Sequence, residues 1–251
     1  MGRSDLVRSD LVRFDRRAVA FGLAAAAVTN SLTGRAALAA DKIKPTASSV
    51  LLVVDVQNCF LPGGSLAVKD GDQVIPVINK IAKGFDNVVL TQDWHTPRHI
   101  SFASSHPGKK PFETIDLPYG KQILWPDHCV QGTAGAELAK ALDIPKAQLV
   151  VRKGYNNDVD SYSAFLEADK KTQTGLTGYL KERGLTEVFI AGLATDFCVA
   201  WSAVDARRAG FGVYVVEDAC RGIDAGGSLA KAWFDMDEAG VKKIQSDDLA
   251  V

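Results

Sequence analysis

The segment GLATDFCV, residues 192–199, reads as a buried strand turning into a helix, with Cys198 about one turn inside it. A thiol there would sit among unpaired backbone N–H groups at the positive end of the helix dipole, which favours thiolate. On this reading Thr195 is the N-cap and Cys198 the third helical residue. The backbone N–H groups of Ala194 and Cys198 are then placed to bind a developing oxyanion. Asp55 closes an apolar run that begins SVLLVV. Poor solvation at that position raises a carboxyl pKa and suits it to proton transfer. Lys153 follows LVVR and brings a cation that would depress a nearby thiol pKa or pair with Asp55. Each residue alone has an ordinary explanation: a buried helix cysteine, a turn-capping aspartate, a lysine reaching solvent. Complementary groups at three strand ends instead suggest a nucleophile, a proton carrier and a charge-balancing cation.

A second constellation has metal-ligand chemistry. Asp93 and His95 form an Asp-x-His pair at a strand end, and His128 lies in WPDHC. His99 is a candidate fourth ligand. Mixed nitrogen and oxygen donors suit one divalent ion, Zn²⁺, Mn²⁺ or Fe²⁺. Three protein ligands leave positions for water or substrate. His106, in SSHPGKK, reads as exposed loop. Phe60 and Trp125 flank the acid and metal motifs, so a flat aromatic substrate could stack between them. Ordinary core filling would place the same two residues.

These groups need a frame that brings strand ends together. Apolar β-type runs occur at 49–56, 87–91, 148–152, 187–191, 212–216 and 241–244. Several are continuous Val, Ile and Leu, as expected for strands buried on both faces. Helical spacing occurs at 74–84, 134–142, 176–183, 197–208 and 228–238. Glycines 84, 184, 210 and 240 sit where helices stop. The alternation predicts an α/β protein: a single-domain, Rossmann-like parallel sheet of about six strands with helices on both faces. Such sheets bind ligands at the carboxyl ends of their strands, where Asp55, Asp93, Lys153 and the 194–198 turn fall. Segments 97–127 and 154–171 have no clear periodicity, and loops of that length are usually functional.

The chain has 251 residues, 47% hydrophobic and 24% charged, with a formal net charge of −1. That composition fits a soluble protein and offers neither a nucleic-acid surface nor a bilayer span in the body. Residues 1–39 differ from the rest. Arg16-Arg17 precedes AVAFGLAAAAVTNSL, and Ala37-Leu38-Ala39 follows. Basic region, mildly apolar stretch and small-x-small site describe a cleavable secretory leader of the twin-arginine type. The expected location is the periplasm, the alternative a cytoplasmic protein with an extension. The domain expectation is a leader over 1–39 and a single α/β domain over 40–251. The cysteines are Cys59, Cys129, Cys198 and Cys220. An oxidising compartment allows disulfides, but the spacing demands none, and Cys59–Cys129 pairing stays open.

The motifs DVQNCF, TQDWHTPRHISFAS, WPDHCVQG, RKG, DSYSAF, GLATDFCV and EDACRG resemble, in order and spacing, those of the nicotinamidases or pyrazinamidases. These are isochorismatase-like cysteine hydrolases. The resemblance covers about residue 48 to the C-terminus. It implies a catalytic triad of Asp55, Lys153 and Cys198, and an oxyanion hole at Ala194 and Cys198 after a cis Leu193-Ala194 peptide. It implies metal ligation by Asp93, His95 and His128, with His99 less secure because its spacing differs. It places Phe60 and Trp125 on either side of the pyridine ring, with Tyr162 of DSYSAF also binding substrate. The implied activity is hydrolysis of nicotinamide, and of pyrazinamide, through a thioester, in NAD salvage. Cys59 departs from the family, which often has Asp after Asn58, and the leader departs too. The implied partner is a small aromatic amide, with self-association left open. Rival readings are an isochorismatase or N-carbamoyl amide hydrolase on the same scaffold, or a non-catalytic periplasmic metal- or ligand-binding protein. Isochorismatases lack this metal set, and the intact Asp55, Lys153 and Cys198 set opposes a non-catalytic role.

Overall fold

The structure is a computed structural model that describes residues 41–251; the expected leader over 1–39 lies outside the described residues. Its strands are β1 (Ser49–Val54), β2 (Asn87–Asp93), β3 (Thr114–Leu117) and β4 (Gly120–Ile123). They continue with β5 (Leu149–Lys153), β6 (Glu187–Leu193), β7 (Gly212–Arg221) and β8 (Lys242–Ile244). The α-helices are α1 (Val74–Ala82), α2 (Leu176–Glu182), α3 (Ala200–Arg208) and α4 (Ser228–Glu238).

Every residue of β1 is buried, so both its faces are covered and an unbroken apolar run is what the position requires. Burial stabilises by about 2 kcal/mol for each large aliphatic side chain. The main sheet has six strands in the order β5-β2-β1-β6-β7-β8, and every pairing in it is parallel. This is the expected architecture. The chain winds outward one way from β1 through β2 to β5, then returns beside β1 as β6 and winds the other way. The carboxyl ends of β1 and β6 therefore flank the point where the winding reverses, which is where doubly wound sheets form a ligand crevice. Close approach there requires Gly192: its φ is +124° and a Cβ would run into the Val54 carbonyl.

Several elements differ from expectation. β1 stops at Val54 because Asp55 turns to a φ of +48°. β2 and β5 run further than expected, because Gln92 and Asp93 pair with Arg152 and Lys153. The 97–127 segment contains the antiparallel β3–β4 hairpin, whose short strands carry too few apolar residues to show a pattern. The helix expected over 134–142 is absent; a single 3₁₀ turn, Ala134–Ala136, stands there. Its backbone is tied down instead: the Ala136 carbonyl accepts from Gln57 and Gln92 side chains, and Ala139 N–H donates to Val56. Before α3, Thr195–Val199 forms a π-helical turn whose N-cap is Ala194, with no side-chain cap bond. Thr195 is thus not the cap, and Cys198 is not the third residue of an α-helix. π turns of this kind recur at functional sites.

Candidate active site

Four strand ends deliver the polar groups. Asp55 follows β1, Asp93 ends β2, Lys153 ends β5, and Ala194 follows β6 through a cis Leu193-Ala194 peptide. The π turn then carries Cys198 back over the sheet edge. Lys153 Nζ lies 2.8 Å from Asp55 Oδ2 and 3.3 Å from Cys198 Sγ. It also contacts Asp93 Oδ1 and donates to the Ser161 carbonyl. The structure therefore brings Asp55, Lys153 and Cys198 together, all buried. A carboxylate oxygen of Asp55, one of Asp93 and the Cys198 sulfur lie within 4.8 Å of one another.

Thr91 orients Asp55. Its hydroxyl donates to Oδ1 at 2.5 Å, and it accepts from the Asp55 N–H at 3.1 Å. Oδ2 faces Lys153 but accepts no well-aligned hydrogen bond, so it can still take a proton. Burial raises the Asp55 pKa, and Lys153 only partly opposes it. Burial also pushes the Cys198 thiol well up; Lys153 lowers it, while Asp55 and Asp93 add to the rise. This corrects the expectation of a helix-stabilised thiolate: the resting group is a thiol beside a base. Lys153 is held well above its ordinary range, because Asp55 and Asp93 outweigh the opposing effect of burial.

Asp93 joins this cluster to a second. Its Oδ2 lies 3.6 Å from His95 Nε2 and 3.8 Å from His128 Nε2. The Nδ1 atoms of His95 and His128 each sit 2.9 Å from a carbonyl, of Gly154 and Pro126 respectively. Carbonyls only accept, so each Nδ1 carries a proton, and each Nε2, once free of a proton, presents its lone pair on the Asp93 side. Gly154 permits the close approach: at φ +68°, a Cβ would lie 2.5 Å from the His95 ring. Three buried donors with fixed tautomers fit a divalent ion. Burial is the largest single influence on the Asp93 pKa and pushes it up, but Lys153 and His95 together overcome it and hold the carboxylate well below the usual range.

His99 is placed differently. Its Nδ1 meets Ser101 Oγ at 2.8 Å and accepts from the Ser101 N–H, while Nε2 donates to the Asn156 carbonyl. It groups with His95 and Asp160 rather than with Asp93 and His128. Burial, then the charge on His95, lowers its pKa to about 4, so it stays neutral. His106 is half-buried rather than exposed, with Nε2 2.7 Å from the Ile100 carbonyl.

Beside these groups lies a small cavity lined by Phe60, Trp125 and Tyr162 as well as His95, His128, Ala194 and Cys198. Trp125 Nε1 donates to the Tyr162 hydroxyl at 2.9 Å. Phe197, Leu66, Ile223 and Asp160 also line it and were not singled out in the sequence. Phe197 had a signal in its place beside Cys198; Leu66 and Ile223 had none. Gln57 was passed over within DVQ. It is buried and clasps Asp93, donating to its carbonyl at 2.9 Å and accepting from its N–H at 2.8 Å. Cys59 and Cys129 form a disulfide, and Cys198 and Cys220 are free.

The fold and site define a doubly wound α/β protein whose switch-point crevice holds a thiol, an acid and a lysine next to a metal-type donor set. The isochorismatase domain family matches residues 49–248, and the chain belongs to that family. It is 59% identical over 210 residues to the nicotinamidase of Acinetobacter baylyi, covering 84% of this chain and 98% of that one. The solved Acinetobacter baumanii nicotinamidase/pyrazinamidase superposes with a TM-score of 0.80 at 62% identity, covering 81% of this chain and 98% of that one. The pyrazinamidase of Pyrococcus horikoshii, solved in complex with zinc, gives a TM-score of 0.64 at 35% identity, covering 79% and 99%.

Proposed function

We propose that this protein is a nicotinamidase, hydrolysing nicotinamide to nicotinate and ammonia and acting on pyrazinamide as well. The observation that carries the reading is Cys198 Sγ beside Lys153 and Asp55 on the wall of a cavity lined by Phe60 and Trp125. Asp55 takes the proton of Cys198 as the sulfur attacks the amide carbon. Transfer in step with attack suits a thiol whose resting pKa is high beside a carboxylate whose pKa is raised. The Ala194 and Cys198 backbone N–H groups bind the oxyanion. The C–N bond breaks and ammonia leaves with the proton from Asp55. Asp55 then draws a proton from water as it attacks the thioester, and the thiol is restored. Lys153 keeps the paired carboxylates balanced throughout. Phe60 and Trp125 hold the ring, and Tyr162, bonded to Trp125, fixes that wall. Asp93, His95 and His128 would hold a divalent ion, zinc on the strength of the Pyrococcus relative, and such an ion would supply a Lewis acid at the cavity wall.

The test is ammonia release from nicotinamide by the purified protein. Stoichiometric nicotinate and ammonia are expected. Release from an N-carbamoyl compound but not from nicotinamide would move the reading to another amidase of this fold.

The proposal includes export through residues 1–39, on the evidence of Arg16-Arg17, the Ala-rich stretch and Ala37-Leu38-Ala39. A folded enzyme would cross with its metal chosen beforehand and Cys198 shielded. Fractionation with N-terminal sequencing should find a periplasmic chain beginning near residue 40, and Arg16→Lys with Arg17→Lys should retain it inside. A chain starting at Met1, found only in the cytoplasm, would refute export.

A further inference from the structure

The Cys59–Cys129 disulfide spans 70 residues of sequence, with its Cα atoms 5.7 Å apart, a separation within the ordinary disulfide range. What it joins is informative. Cys59 precedes Phe60 in the 3₁₀ turn Asn58–Phe60, and Cys129 follows His128. Phe60 and His128 both line the cavity, with ring centroids 5.6 Å apart. One covalent bond thus ties the carrier of a ring-binding side chain to the carrier of a metal donor.

The backbone on the His128 side needs such a tie. Cys129 has a φ of +44°, a left-handed conformation that a non-glycine residue keeps only when its surroundings impose it. In that conformation its carbonyl accepts from the His95 N–H at 3.1 Å, and the preceding His128 turns its Nε2 toward Asp93. The hydrogen bonds of neighbouring Asn58 run elsewhere, to the Ala134 and Glu137 carbonyls. Both sulfurs are buried, and Cys198 and Cys220 stay outside the bond.

We propose that the Cys59–Cys129 disulfide is a positioning clamp for the site: it fixes His128 and Phe60 together, so that metal retention and ring binding depend on it while the Cys198 chemistry does not. The inference rests on the amidase reading for its kinetic arm alone. The bond forms by exchange with a disulfide, either that of a thiol–disulfide oxidoreductase or oxidised glutathione. One cysteine thiolate attacks the donor disulfide and releases a thiol; the second displaces the remaining donor sulfur. Two protons and two electrons leave the cysteines, and the donor is reduced to its thiols.

The test uses the zinc-loaded protein purified without reductant. Alkylation after denaturation should label Cys198 and Cys220 and spare Cys59 and Cys129. Cys59→Ser should lose zinc to a competing chelator at on the order of tenfold lower chelator concentration, and should raise KM for nicotinamide more than it lowers kcat. Cys59→Ser with Cys129→Ser should match the single variant, because either change removes the same bond, whereas independent packing effects would add. A phosphine reductant should shift the parent toward the variants, and oxidised glutathione should restore it. Labelling of all four cysteines in the parent would overturn the clamp. So would variants that keep the parent's zinc retention and KM, or single and double variants whose losses add. The labelling and zinc arms read out even for a protein that leaves nicotinamide untouched, which separates failure of the clamp from failure of the amidase reading.

Discussion

Cys198→Ala is expected to cut ammonia release from nicotinamide by about 10³-fold or more, with zinc content unchanged. The sulfur lies at the cavity wall, 3.3 Å from Lys153 and within 4.8 Å of a carboxylate oxygen of the proton-accepting Asp55. Removing it leaves the Lys153–Asp55 contact at 2.8 Å and the Asp93, His95 and His128 donors in place, so the loss is chemical rather than structural. A melting temperature close to the parent's would accompany the rate loss. Residual catalysis would reflect substrate binding and the oxyanion site, which survive the change. A second readout is covalent: rapid quenching of the parent with nicotinamide should give a thioester on Cys198, and the variant should give none. Near-parental ammonia release by Cys198→Ala, at equal purity, would remove the thiol from the mechanism.

The sequence made the sheet legible because its central strands have no polar face. SVLLVV in β1 cannot be half-exposed, and the polar residue that ends such a run must emerge where neighbouring strands also end. Asp55, Asp93 and Lys153 could be placed together by that reasoning alone. The carboxyl-end geometry followed from alternation of strands and helices, and α4 was recovered at its observed bounds. The parts that were not legible depend on tertiary contacts. The 134–142 segment has helical spacing, but Gln57 and Gln92 take its Ala136 carbonyl, and no local pattern announces a competitor so distant in sequence. The thiol pKa was misread because a helix-start argument weighs only nearby dipoles. Complete burial and two carboxylates decide the direction, and both are properties of the folded site. His99 was the less secure ligand because its spacing differs; its Nε2 proton is directed at the carbonyl of Asn156, 57 residues away in sequence. Cys59 and Cys129 could be named as a pair from their motifs but not joined, because only the fold brings the 3₁₀ turn beside the His128 loop.

Asp93→Ala tests whether the metal-type donors and the thiol cluster are one unit. Oδ1 of Asp93 contacts Lys153, while Oδ2 faces His95 and His128. A ligand variant on the far side, His128→Ala, removes a donor and leaves Lys153 with both carboxylates. Each variant should fall well below one zinc per chain by elemental analysis, and each should raise KM. Only Asp93→Ala should also strip Lys153 of a partner. Breaking part of a buried charge cluster costs about 3 kcal/mol, so this variant should melt lower than His128→Ala. Its kinetics should differ as well. Asp93 helps to keep the Asp55 pKa raised; without it Lys153 bears on Asp55 more strongly and weakens it as a base. A further fall in kcat of about 10²-fold beyond His128→Ala is expected, the lower end of what a general base contributes. Asp93→Asn keeps the side-chain shape without the charge and should follow the alanine variant in kcat while melting closer to the parent. Equal kcat for Asp93→Ala and His128→Ala at matched zinc content would mean that Asp93 serves the metal alone, and that Lys153 needs only Asp55 to do its work.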